Sequence, residues 1–145
     1  MNISKFTQKS IQAINKLEKT AYDFGNQEIE QEHLLYSLLH QEDSLILKLI
    51  EKMEIHKEHF LNRLEDYLGK RTKVSGGQPY VGQHLNKVLI SAEDEAKAMG
   101  DEYVSVEHIF LCLLKEANRA LKELFKMYGI DRDKFLQALS TVRGN

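Results

Sequence analysis

The chain has 145 residues, 42% of them apolar and 29% charged, enough for one domain with a substantial core. A formal net charge of −2 and a pI near 6.3 argue against the basic surface of a nucleic-acid binder, and no apolar run approaches the ~20 residues that span a bilayer. The N-terminal MNISKFTQKS lacks the apolar stretch of a secretory signal, and the single cysteine, Cys112, leaves no internal disulfide, so a reducing cytoplasm is expected.

With one proline and no tryptophan, the chain has few helix breakers, and its apolar spacing predicts helices throughout. Ile11, Ile14, Leu17, Ala21 and Phe24 recur at three- and four-residue steps, one helical stripe, and Gly25 stops it in the left-handed conformation. A second helix carries Leu34, Leu35, Leu38 and Leu39. A third carries Leu45, Leu49, Ile50 and Met53, capped by Asp43 or Ser44. A fourth carries Phe60, Leu61, Leu64 and Leu68 and stops near Gly69. Then come GKRTKVSGGQPYVG, with four of the eight glycines and the only proline, which is loop chemistry. Beyond it, Leu85, Val88, Leu89, Ala92, Ala96 and Met99 form a stripe ending at Gly100; Ile109, Leu113 and Leu114 form the next. Leu121, Leu124 and Phe125 lead to Gly129, and Phe135, Leu136 and Leu139 complete the series, with Asp131 as cap. Helices this short are held by tertiary packing.

Shifting the chain by 75 residues aligns 21–65 with 96–140 without gaps. Gly25 meets Gly100, Glu32-His33 meets Glu107-His108, and Phe60 meets Phe135. The expected architecture is therefore all-α: two pseudo-symmetric four-helix repeats, the first about 4–69, a linker about 70–82, and the second about 83–142.

Catalytic and metal-binding motifs are missing. There is no phosphate-binding G-x-x-x-x-G-K-[ST], no G-x-S-x-G, no C-x-x-C and no H-E-x-x-H. Cys112, inside IFLCLL, reads as a buried structural thiol. His33 and His108 open helices beside Glu32 and Glu107, but adjacent helical residues point about 100° apart and chelate poorly, so a hydrogen-bonded structural role is expected. His56 and His59 read as a solvated face. Glu32 and Glu107 suit the positive end of a helix dipole; alternatively they face outward and grip cations on a partner. Phe6 and Tyr80-Val81 occupy matching places ahead of the first helix of each repeat, as staples or as the lining of a shallow peptide groove.

Three stretches, FTQKSIQAI, FGNQEIEQEHLLYSLL and MGDEYVSVEHIFLCLL, resemble the Clp N-terminal repeat domain at the head of the Clp/Hsp100 ring ATPases. The resemblance covers the whole chain, and KVSGGQPYVGQHLNKVL and STVRGN look most like the ClpB-type branch, with ClpC nearest after it. It implies a mobile substrate-recruiting domain, itself without cofactor and monomeric when isolated. Its parent would be a cytoplasmic homohexameric disaggregase that uses ATP and Mg, works with the DnaK system under heat stress, and handles unfolded or aggregated clients. The alternative is an adaptor- or substrate-docking domain of a ClpC/ClpA-type unfoldase. Three residue types tied to substrate handling in that branch fall here on Thr7, Asp101 and Glu107. The ClpC-type G-T-E-H, which can bind phosphorylated arginine, is replaced by Glu30-Gln31-Glu32-His33 and Ser105-Val106-Glu107-His108. With both threonines gone and Glu30 adding negative charge, phosphoarginine reading is not expected. The end at Asn145 is expected to fall on a domain boundary, with a tether beyond it.

Overall fold

A computed structural model describes residues 3–143; the chain end at Asn145 lies outside the described residues. The first helix of the first repeat comes in two segments, α1 (Gln8–Asn15) and α2 (Leu17–Asp23). The continuous stripe of the sequence is interrupted at Lys16, at φ −91° and ψ −2°, whose carbonyl accepts from both Thr20 N at 2.9 Å and the Thr20 hydroxyl at 2.8 Å. A short strand β1 (Glu28–Ile29) leads to α3 (Gln31–Leu39), α4 (Leu45–Lys52) and α5 (Lys57–Gly69). The second repeat starts with β2 (Tyr80–Val81) and continues through α6 (Gln83–Ala98), α7 (Val106–Lys115), α8 (Arg119–Met127) and α9 (Arg132–Arg143). Gly25 and Gly100 end the first helix of each repeat at φ of 74° and 76°. Ser44 caps α4 and Asp131 caps α9; Asp43 instead pairs with Lys48.

The two repeats exchange strands. β1 pairs in parallel with β2, Ile29 facing Val81, while Phe6 bridges in parallel to Val104. A shift of 75 residues converts Phe6 into Val81 and Ile29 into Val104, so the two pairings are one contact seen from both sides. A contact of i with j and of its copy with the reverse is the signature of two-fold relatedness. Each repeat's incoming strand thus pairs with the segment behind the other repeat's first helix. The connecting segment is fastened too: Val74 N donates to Gly25 O and Tyr80 N to Gln27 O, at 2.8 and 3.1 Å.

Helices α3 and α7 form the centre. Eight of nine residues of α3 and eight of ten of α7 are buried, because both repeats cover them and little polar face is left. One contiguous apolar cluster runs through both repeats. Phe110 stacks near Phe125 and Phe135, with ring centroids 5.6 and 4.5 Å apart, and Phe60 meets Tyr128 of the other repeat at 5.1 Å. No described helix is long and apolar enough to cross a membrane.

Candidate functional site

Thr7 is the N-cap of α1, its Oγ1 accepting from Ser10 N at 3.2 Å. Thr7 N donates to Val104 O at 3.0 Å, and Ser10 Oγ donates to the same oxygen at 2.9 Å. Thr7 is thereby fixed to the loop 101–105 that starts α7. On that loop Ser105 N donates to His108 Nδ1 at 2.9 Å. An acceptor Nδ1 places the ring proton on Nε2, which donates to Asp101 Oδ2 at 2.7 Å. Arg143, the last residue of α9, reaches back to Asp101 at 2.8 Å and to Glu107 at 3.3 Å. That guanidinium, helped by the His108 hydrogen bond, holds the Asp101 carboxyl below the usual carboxylate range.

Thr7, Asp101 and Glu107 are therefore gathered in one place by Val104, His108 and Arg143. Two carboxylates face one guanidinium, so a formal charge of −1 remains. The acids do not project freely, however: Glu107 is 6% exposed and Glu32 3%, and each is tied to an arginine, Glu32 to Arg71 and Glu107 to Arg143. The outward-gripping reading of these glutamates is overturned; their helix starts are covered by the other repeat. Phe6 is buried against Val104 and contributes to the floor, not to an exposed surface. Tyr80 and Val81 are half exposed and belong to the other strand pair, with Glu28 and Ile29. Sequence reasoning missed Arg143 and two apolar side chains next to the cluster in the chain, Tyr103 (51% exposed) and Val142 (48%). Arginine near a chain end gives no signal without knowing where α9 points.

The matching place in the first repeat is filled differently. His33 repeats the imidazole pattern, accepting from Glu30 N and donating from Nε2 to Asn26 Oδ1, both at 2.9 Å. Burial, with the Arg71 charge, pushes its pKa down to about 4. Glu32 accepts from Arg71 at 2.7 Å and from Asn118 Nδ2 at 2.7 Å. Where the second repeat has Ser105, the first has Glu30, whose buried carboxylate accepts from Gln31 N at 2.9 Å and His84 N at 3.1 Å. It bridges the starts of α3 and α6, two positive helix ends. Burial raises its pKa, against the pull of those two donors. Gly82, the counterpart of Thr7, is required there: a Cβ would overlap Glu30 Oε2 and stand 2.6 Å from its Cδ.

Cys112 is buried and burial pushes its thiol up to about 12, far from a nucleophile. Among the described residues no group of three His, Cys, Asp or Glu could hold a metal ion. His56 caps α5, and His59 pairs with the Tyr128 hydroxyl.

The sequence profile of the Clp repeat (R) N-terminal domain matches residues 5–128. The chain belongs to that family. It is 43% identical over 151 residues to a chaperone protein ClpB of Nitratidesulfovibrio vulgaris, and 33% over 150 residues to one of Bacillus anthracis. Each alignment takes in 100% of this chain but only 18% and 17% of the relative, so the chain spans under a fifth of the curated relatives' length. Among solved structures, the Hsp104 N-terminal domain from Candida albicans superposes with a TM-score of 0.82 at 23% identity, covering 97% of this chain and 92% of that one. A ClpV N-domain in complex with a VipB peptide gives 0.73 at 17%, covering 95% and 86%. These likenesses establish the Clp N-domain fold, and the relatives matched along the whole of this chain are ClpB chaperones.

Proposed function

We propose that this chain is the client-recruiting domain of an ATP-driven, ClpB-type disaggregase. The observation that carries the reading is the gathering of Thr7, Asp101 and Glu107 at one junction, in a chain similar to ClpB along its whole length; Tyr103 and Val142, neighbours of that junction in the chain, are half exposed. A loosened polypeptide loses apolar surface from water against Tyr103 and Val142, at ~25 cal/mol per Å². The residual negative charge reaches the surface through Asp101, whose side chain is 28% exposed, and favours segments flanked by lysine or arginine. After association costs the affinity is weak, which suits handing a client onward. Six copies on the proposed cytoplasmic homohexamer raise the effective concentration and supply avidity. ATP and Mg would act in the parent's ring modules, and the DnaK system would deliver aggregates during heat stress. That the structural relative ClpV binds a peptide through its N-domain supports a peptide-docking role. The Glu30 carboxylate, already accepting from Gln31 N and His84 N, adds negative charge that argues against phosphoarginine as the cue.

The test is a titration with a permanently unfolded protein, reduced and alkylated. Weak saturable binding is expected, reduced severalfold by Asp101→Asn or Glu107→Gln while the unfolding transition stays cooperative. No binding at millimolar concentration would overturn direct recruitment.

A further inference from the structure

The second repeat carries a groove of about 650 Å³ between α7, α8 and the start of α9. Its floor is apolar, including Leu111, Phe125 and Ile130, and its rim is lined by Lys115, Lys122 and Lys126. It shares no residue with the Thr7, Asp101 and Glu107 cluster. The volume is in the range that holds side chains or small molecules, not a lone ion.

The groove's charge is unbalanced. Glu95 is taken by Arg132 at 2.6 and 3.1 Å, and Asp131 caps α9 through Lys134 N. Among the described residues Lys115, Lys122 and Lys126 enter no ion pair. Lys122 and Lys126 stand four apart on α8, and like charges at that spacing destabilise a helix. The first repeat shows that the fold does not require them. The counterparts of Leu111, Lys115, Lys122 and Lys126 are Tyr36, His40, Leu47 and Glu51. There Tyr36 and His40 stack at 3.8 Å, and Glu51 balances Lys57 at 3.7 Å. In the second repeat the two rings are absent, and the acid has become a third lysine.

We propose that this groove docks an acidic amphipathic peptide segment of a partner protein, leucine or phenylalanine on the apolar floor and carboxylates on the three lysines. An apolar floor favours a peptide over a nucleic acid, which would want exposed aromatic platforms and a groove of phosphate contacts. The inference stands independently of the client face described above.

The probe is a short synthetic helical peptide of leucine, phenylalanine and glutamate, with a counterpart in which every glutamate is lysine, followed by amide NMR on this chain. The acidic peptide is expected to shift Leu111, Lys122, Phe125 and Ile130 and to bind more weakly as salt rises. Because both lysines are exposed, Lys122→Glu with Lys126→Glu should keep the fold, seen in an unchanged amide spectrum elsewhere, and weaken the peptide about tenfold or more. Equal binding of the lysine peptide, unchanged binding by the double variant, shifts confined to Thr7, Asp101 and Glu107, or displacement by an RNA oligonucleotide would each overturn the proposal.

Discussion

The two repeats share a backbone plan and differ in what fills their junction. In the first, the Glu30 carboxylate is locked between the starts of α3 and α6, and Gly82 makes room for it. In the second, Ser105 and Thr7 hold the same positions with hydroxyls, and the acids Asp101 and Glu107 share Arg143 near half-exposed apolar side chains. Duplication supplies the scaffold; divergence at a few positions puts a buried carboxylate in one junction and hydroxyls with an Arg143-linked acid pair in the other. The same contrast recurs at the α7–α8 groove, whose rim residues Lys115, Lys122 and Lys126 are replaced in the first repeat by His40, Leu47 and Glu51.

The widest test of this comparison is whether the repeats can be separated at all. Phe60 and Phe135 are equivalent and fully buried in one continuous core. Truncating either to alanine should cost about 3–5 kcal/mol and lower the same single denaturation transition. Two transitions, one per repeat, would break the picture of a shared core.

His33 gives the next largest effect. An unfolded histidine titrates near 6.5, and His33 in the fold near 4. The unfolded chain therefore binds the extra proton first. The His33 contribution is whole above about pH 6.5 and falls away toward pH 4, by about 3 kcal/mol at the limit. Denaturation across that range should show stability dropping with acid, and His33→Gln should flatten that part of the profile.

Gly82→Ala forces a methyl onto the Glu30 carboxylate and should cost about 1–3 kcal/mol, largely restored by a second change, Glu30→Ala, in a double-mutant cycle. At the equivalent place Thr7→Ala removes a helix cap and the hydroxyl's bond to Ser10 Oγ, at about 1 kcal/mol. The smallest effect belongs to exposed pairs common to any helix surface: Arg119→Ala, which breaks the Arg119–Glu123 pair, should move stability by less than about 0.5 kcal/mol.

Much of this plan was legible in the residues. The 75-residue offset, the stops at Gly25 and Gly100, the caps Ser44 and Asp131 and the buried Cys112 all rest on local chemistry or repetition. The strand exchange was not, because two-residue strands are too short to show an alternating pattern and their partners lie in the other repeat. The break at Lys16 was hidden too, because Ile14, Leu17 and Ala21 keep helical spacing across it. At the site, residue types were legible but burial was not. Glu30, noted only as added negative charge, is an internal cap, and Glu32 and Glu107, suited to helix starts, are also held by Arg71, just past α5, and Arg143, on α9.

The most direct test of the account is an amide NMR titration of this chain with a permanently unfolded client. The account predicts shifts at Thr7, Asp101, Tyr103 and Glu107, with their counterparts Gly82, Asn26, Glu28 and Glu32 unmoved. Equal shifts at both junctions, or shifts at the Glu30 junction alone, would contradict it.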